Sequence, residues 1–223
     1  VAIAIGMGTA GAAAGLDVII ENHSLVEAIS NNTSMKAAGS ITVESDSNTE
    51  ITDFGDNTMV GTATAVSGTA VAISVSLLTV KVANTSHADI LSDEDNAVSV
   101  EAGGDILVDA KSLTELTDLN GVGVTLAGGS YAAAGGGLDI TLLVGNDVRA
   151  QTDLGNRART VKAAGSITVN AFEVVDMSSN IANVSIAAAP IGLAVGAATM
   201  LSRHTSRVES RIGQATVSGE SVL

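Results

Sequence analysis

Runs of strictly alternating side chains recur along the chain. Ile41 and Val43 alternate with Ser40 and Thr42. Val71, Ile73 and Val75 alternate with Ala72, Ser74 and Ser76, and Val122, Val124 and Leu126 with Gly121, Gly123 and Thr125. A period of two places every second side chain on the same face of a pleated strand. Val, Ile and Thr suit that surface, whereas glycine at this density costs a helix about 1 kcal/mol per position. The pattern predicts strands in nearly every window.

The strands belong to a repeat. Ala37-Ala38-Gly39-Ser40-Ile41-Thr42-Val43 returns as Ala102-Gly103-Gly104-Asp105-Ile106-Leu107-Val108 and as Ala163-Ala164-Gly165-Ser166-Ile167-Thr168-Val169, at spacings of 65 and 61 residues. A fainter copy follows at Val217-Ser218-Gly219-Glu220-Ser221-Val222, and Leu16-Asp17-Val18 returns as Leu138-Asp139-Ile140 after 122 residues. Each unit runs through a Gly-initiated strand, a polar Ser/Thr/Asn/Asp stretch, a Gly/Ala-rich segment, an aliphatic strand and a polar exit. Residues 1–223 therefore read as a single array of about three and a half units of 61–65 residues. Val1 starts in mid-pattern and Leu223 stops as another strand begins, which leads us to expect a piece of a longer protein.

Units that cannot bury an apolar face alone must stack, so the expected fold is an all-β solenoid, a parallel β-helix or a close relative. At roughly 20 residues per coil, as in common β-helices, three coils would make one repeat. The alternative is an array of long β-hairpins turning at Gly8-Thr9-Ala10-Gly11, Gly128-Gly129-Ser130 and Pro190-Ile191-Gly192. Gly39, Gly104 and Gly165 precede a strand, where a tight turn with positive φ is expected.

Composition sharpens this picture. There are 35 Ala and 24 Gly among 223 residues and only three aromatic residues, Phe54, Tyr131 and Phe172. A core filled by aromatic rings is excluded, and a narrow, dry seam between closely approaching backbones is expected. That disfavours a compact, pocketed enzyme. With no cysteine, disulfides, thiolate metal sites and Cys nucleophiles are excluded. The net charge of −14 repels nucleic acid and anionic lipid headgroups. It is uneven, −10 over residues 1–100 and −4 over residues 101–223, and the basic residues never cluster.

The succession GAAAGLDVIIENHSLVEAI followed by KAAGSITVES, with Val100-Glu101-Ala102-Gly103-Gly104-Asp105-Ile106-Leu107-Val108 and Val161-Lys162-Ala163-Ala164-Gly165-Ser166-Ile167-Thr168-Val169, resembles the repeats of large leukotoxin-type filamentous adhesins of Gram-negative bacteria. The likeness covers essentially the whole chain. It implies a very long secreted or surface-tethered protein, outside the cell, whose repeats project a binding tip or touch host or neighbouring cells through a receptor the sequence does not name. It implies no catalytic residues.

His23, His87 and His204 fall at different repeat positions and read as solvated strand or turn histidines rather than a base or ligand set. Asp46-Ser47-Asn48-Thr49-Glu50, Asp53, Asp56, Asp89 and Asp93-Glu94-Asp95-Asn96 could offer oxygens to Ca²⁺, yet match no calcium-loop spacing and read as exposed solubilising turns. Residues 177–202 carry no charge and contain Gly192-Leu193-Ala194-Val195-Gly196, a GxxxG match. Pro190, the alternation and the lack of aromatic girdles weigh against membrane insertion. Gly135-Gly136-Gly137 and Gly121-Val122-Gly123 lead into no helix and make no phosphate loop. Asn22, Asn32, Asn84 and Asn183 head glycosylation-type triplets that arise by chance in such composition. No residue is singled out as catalytic, cofactor-binding or metal-ligating, and no cofactor is expected.

The expected function is thus a structural or adhesive segment, a rigid rod without enzyme activity that makes weak multivalent contacts. Unpaired strand ends would favour end-to-end self-association. A membrane-active, toxin-like segment is the alternative, followed by a β-helix polysaccharide-binding or -cleaving protein, for which clustered carboxylates and aromatic platforms are missing.

Overall fold

The computed structural model describes residues 2–7, 11–52, 59–66, 68–93, 95–96, 98–155 and 159–223. These residues form strands and turns without a helix. The chain opens with β1 (Ala2–Met7), β2 (Gly11–Asn22), β3 (Leu25–Asn31) and β4 (Met35–Ala37). The next unit contains β5 (Ile41–Thr52), β6 (Met59–Val66), β7 (Thr69–Val82), β8 (Thr85–Leu91) and β9 (Val100–Ala102). The third has β10 (Ile106–Gly128), β11 (Tyr131–Val144), β12 (Asp147–Asp153) and β13 (Thr160–Ala163). The last has β14 (Ile167–Ala188), β15 (Ile191–His204), β16 (Arg207–Ile212) and β17 (Thr216–Ser218).

All pairing is parallel and joins equivalent strands of successive units. One sheet holds β1, β6, β10 and β14, with β5 beside the first half of β10; the others run β15-β11-β7-β2, β16-β12-β8-β3 and β17-β13-β9-β4. Ile41, Ile106 and Ile167 stack in register, 65 and 61 residues apart. This is the β-solenoid expected from the repeat. It differs in one respect, because each sequence repeat makes one coil and not three. The pleat has the same period whatever the coil length, so alternation could not distinguish them.

Strands that follow one another across a turn lie in opposed sheets, which rules out the hairpin array. β10 and β11 meet at the turn after Gly128 but do not pair with each other. The turn at residues 8–11 lies largely outside the described residues. With β10 23 residues long, the coil is about 75 Å across, while four stacked coils rise only about 19 Å. Each coil is therefore far wider than the short coils expected from the sequence, and these four stack into a broad wall.

The interior changes character across the wall. At the end where β10 turns into β11 it is almost pure alanine, with Ala63, Ala65, Ala70, Ala72, Ala127, Ala132 and Ala134 all buried. Here the two sheets meet as the narrow seam that the composition demands. Larger side chains follow, Leu78, Val80, Leu116, Leu119, Leu138, Ile140 and Leu142. A separate aliphatic cluster around Val100, Ile106, Val108, Val148, Leu154, Val161 and Ile167 fills the far end.

Gly39, Gly104 and Gly165 do not adopt positive φ. Among the described residues that backbone occurs at Asn32, Asp118 and Gly155. At Gly104 and Gly165 stacking on the coil below, not turn geometry, demands a small residue, while Gly39 of the first described coil has open space where a Cβ would stand. A Cβ on Gly103 would run into the Ala38 carbonyl oxygen of the coil below, and one on Gly104 would lie 2.6 Å from Ser40 Oγ. Asp118, at φ 56°, marks a bulge between Leu116 and Leu119, where β10 carries one residue more than β14.

Candidate functional site

The polar stretches that read as solvated turns are largely strand. In β5, Asp46 and Glu50 point outward from the sheet, while Ser45, Ser47 and Thr49 are buried between the two layers. Small hydroxyls fit a thin interior provided each finds a partner. Ser45 Oγ meets Ser86 Oγ at 2.8 Å, and Ser47 Oγ meets Ser24 Oγ at 2.8 Å.

At the corner before β3, β8, β12 and β16 these bonds build a ladder along the coil axis. Ser24 Oγ donates to Asn84 Oδ1 at 2.9 Å, and Asn84 N–H donates to Asn146 Oδ1 at 3.0 Å. Asn146 N–H in turn donates to Ser206 Oγ at 2.9 Å. Sideways, Asn84 Nδ2 reaches Thr49 Oγ1 at 2.8 Å, while Asn146 Nδ2 reaches Thr114 Oγ1 at 3.0 Å and Glu173 Oε1 at 2.8 Å. An aliphatic side chain at Asn146 would leave the Asn84 N–H without the acceptor that the amide oxygen provides. Asn84 heads a glycosylation-type triplet, yet it is buried. The 62-residue spacing of Asn84 and Asn146 was the available sequence signal, usable only once the coil length is known.

His204 Nε2 lies 2.7 Å from Ser206 Oγ and 3.2 Å from Glu173 Oε2. A hydroxyl, an imidazole and a carboxylate in contact invite comparison with a hydrolase triad. In a triad, however, the nucleophile and the acid use opposite ring nitrogens. Here both use Nε2, and the Ser206 hydroxyl donates directly to Glu173 Oε1 at 2.7 Å. The cluster is part of the polar ladder.

The outer face of the β8 sheet carries a row of ionisable side chains. Glu27, His87 and Arg149 are register partners in successive coils. His87, 8% exposed, stands with Nε2 3.1 Å from Asp147 Oδ2 and Nδ1 3.6 Å from Glu27 Oε1. Asp89 is fully buried and clamped by Arg149, whose Nη2 is 2.6 Å from Oδ2 and whose Nε is 3.3 Å from Oδ1. The hydrogen bond to Asp89 raises the Arg149 pKa above its usual value. His23 is exposed in the turn between β2 and β3, four residues before Glu27.

Among the described residues the acidic groups offered for calcium do not converge. Asp93 exchanges two 2.8 Å bonds with Asn32, and its carbonyl oxygen accepts from Arg159 Nη1 at 2.5 Å. Asp53, Asp56 and Glu94 lie outside the described residues. An open depression of about 410 Å³ beside Asp93 includes Asp153, already engaged by the Gly155 and Gln214 amides at 3.0 Å and by Arg211 at 3.4 Å. Among the described residues no group of three or more His, Cys, Asp or Glu is placed to hold a metal ion. Lys111 bridges Asp109 at 2.7 Å and Glu44 at 2.8 Å, and those two bonds raise its pKa well above the usual lysine value.

The thin, alanine-filled edge differs from the rest of the surface. Its large side chains point outward, with Val71, Ile73, Val75, Leu193 and Val195 exposed on the β11 sheet and Leu126, Val184 and Ile186 exposed on the opposite one. Small residues line the inside and branched aliphatics the outside, the reverse of an ordinary sandwich. Residues 119–138 and 177–202, which form this edge in the third and fourth coils, carry no charged side chain. No helix among the described residues is long and apolar enough to cross a membrane.

Comparison of the chain with protein-family models, curated proteins and solved structures finds no match in any of the three.

Proposed function

We propose that the chain is a structural and adhesive repeat segment of a large bacterial surface protein, working by display and many weak contacts rather than by catalysis. In this reading it lies outside the cell and meets the surface of a host or neighbouring cell. The observation that carries the proposal is the in-register stacking of one repeat per coil. Each added repeat raises a wall about 75 Å wide by about 4.8 Å and presents the same outer positions again. Contact sites then multiply with repeat number, which suits a multivalent binder.

The likeness of the Ala-Gly-Ser-Ile-Thr-Val repeats to those of leukotoxin-type adhesins supports the extracellular setting. The mutual engagement of His204, Glu173 and Ser206, and of Asp89 with Arg149, supports a non-catalytic role. Beads carrying the 223-residue chain at graded density, washed over cultured epithelial cells and over bacteria, test the proposal. Retention that climbs more steeply than linearly with density is expected. Beads retained no better than albumin-coated ones at every density overturn the adhesive reading.

A further inference from the structure

The outer face of the β15-β11-β7-β2 sheet is ribbed. At its apolar end, β7 presents Val71, Ile73 and Val75 and β15 presents Leu193 and Val195, while β11 between them presents Ala133, Gly135 and Gly137. β2, on the other side of β7, presents Ala13 and Gly15. The sheet order therefore reads ridge, trough, ridge, trough. The trough over β11 is an open apolar hollow of about 250 Å³ walled by Val71, Ile191 and Leu193.

That order is complementary to itself. A second copy turned by a two-fold axis parallel to the strands reads trough, ridge, trough, ridge against the first. Its β7 ridge then sits over the β11 trough and its β15 ridge over the β2 trough, with the reciprocal contacts made at the same time. The same rotation keeps strand position, so Ile73 of one copy faces Gly135 of the other, since Ile73 and Gly135 are register partners. The uncharged end also lies over the uncharged end. Rotation about the coil axis would instead set ridge on ridge.

We propose that this ribbed face is a lateral docking surface for a second copy of the chain, packed sheet to sheet with ridges in troughs. Seven residues on each of β15, β11 and β7 and residues 11–15 of β2 cover about 400 Å² per copy, or about 800 Å² in all. A stable specific interface buries about 1,200–2,000 Å². Four coils therefore pair weakly and reversibly, and pairing tightens as coils are added. The proposal goes beyond the adhesive reading and does not depend on it.

Sedimentation velocity of the 223-residue chain from about 10 µM to about 1 mM, a range chosen for so small an interface, should show dimer growing with concentration. A Cβ at Gly135 meets open space, so Gly135→Leu fills the trough without disturbing the coil. Gly135→Leu and Ile73→Lys should each weaken pairing at least tenfold with unchanged far-ultraviolet circular dichroism. The chain has no cysteine, so a mixture of Ile73→Cys and Gly135→Cys should cross-link faster than either alone. A monomer throughout overturns the proposal. Association that both substitutions leave intact, as end-to-end joining through strand edges would, also overturns it. So does partition into phosphatidylcholine vesicles that Gly135→Leu strengthens while no dimer forms, for then the face suits lipid instead.

Discussion

Asn146 offers a sharp test of the internal ladder. It is 2% exposed, accepts the Asn84 N–H at 3.0 Å and donates to Thr114 at 3.0 Å and to Glu173 at 2.8 Å. Asn146→Ala removes three bonds together. The two neutral ones contribute about 1 kcal/mol each, and the one to a carboxylate about 1.5–3 kcal/mol. The sum is about 4 kcal/mol, raised or lowered by how far Asn84 N–H finds another partner. For a chain of this length 1 kcal/mol moves Tm by roughly 2–4 °C. The expected drop is therefore about 8–16 °C, read by thermal or urea unfolding followed by circular dichroism. Asn146→Asp should fare no better at pH 7, because it sets an oxygen in place of Nδ2 against the Glu173 carboxylate. Asn120→Ala is the control: its one bond, from Asn180 at 3.1 Å, is exposed, and it should stay within about 0.5 kcal/mol. An Asn146→Ala protein as stable as that control would refute the claim that the buried amides hold the corner.

Three further outcomes follow from particular contacts. Gly103→Ala drives a methyl group into the Ala38 carbonyl oxygen and should cost about 1–3 kcal/mol, whereas Gly39→Ala, with open space around its Cβ, should melt at or slightly above the wild-type temperature. Arg149→Met leaves the fully buried Asp89 carboxylate without its cation, and urea unfolding should report a loss of about 3 kcal/mol. The Lys111 pKa is raised by Asp109 and Glu44 above the ordinary 10.5, so its contribution is complete below about pH 10.5 and fades as pH rises through the higher folded value. The Tm difference between wild type and Lys111→Met should accordingly be flat from pH 7 to about 10 and shrink in stronger alkali.

The sequence carried the strand content, the repeat and the register in plain sight. The recurrence of Ala-Gly-Ser-Ile-Thr-Val aligned Ile41, Ile106 and Ile167 as they stack. Leu16 and Leu138, 122 residues apart, do lie two coils apart on one line through Ser76. The coil length was hidden, because a strand of 23 residues and three short strands share the same alternation, and Thr117-Asp118 breaks it locally with a bulge. The polar stretch of β5 was hidden for a related reason. Ser45, Ser47 and Thr49 resemble a solvated loop by type, and only the opposing Ser24, Asn84 and Ser86 make them interior residues. The ion pair of Asp89 and Arg149 spans 60 residues and becomes visible only when the coil does. The ribbed outer face is not legible in the alternation, because a period of two gives Val71, Ile73 and Val75 one face without saying which, and it is Ala70 and Ala72 that fill the inside of the seam.

The claim that one repeat makes one coil is tested most directly by a distance. Thr42 and Thr168 pair with Leu107 from opposite sides and so stand two coils apart, about 10 Å. In this cysteine-free chain, nitroxide labels on Thr42→Cys and Thr168→Cys should show strong dipolar broadening in a continuous-wave electron paramagnetic resonance spectrum. Coils a third as long would put six rises between the labels, about 29 Å, and sharp, unbroadened lines at that separation would contradict the account.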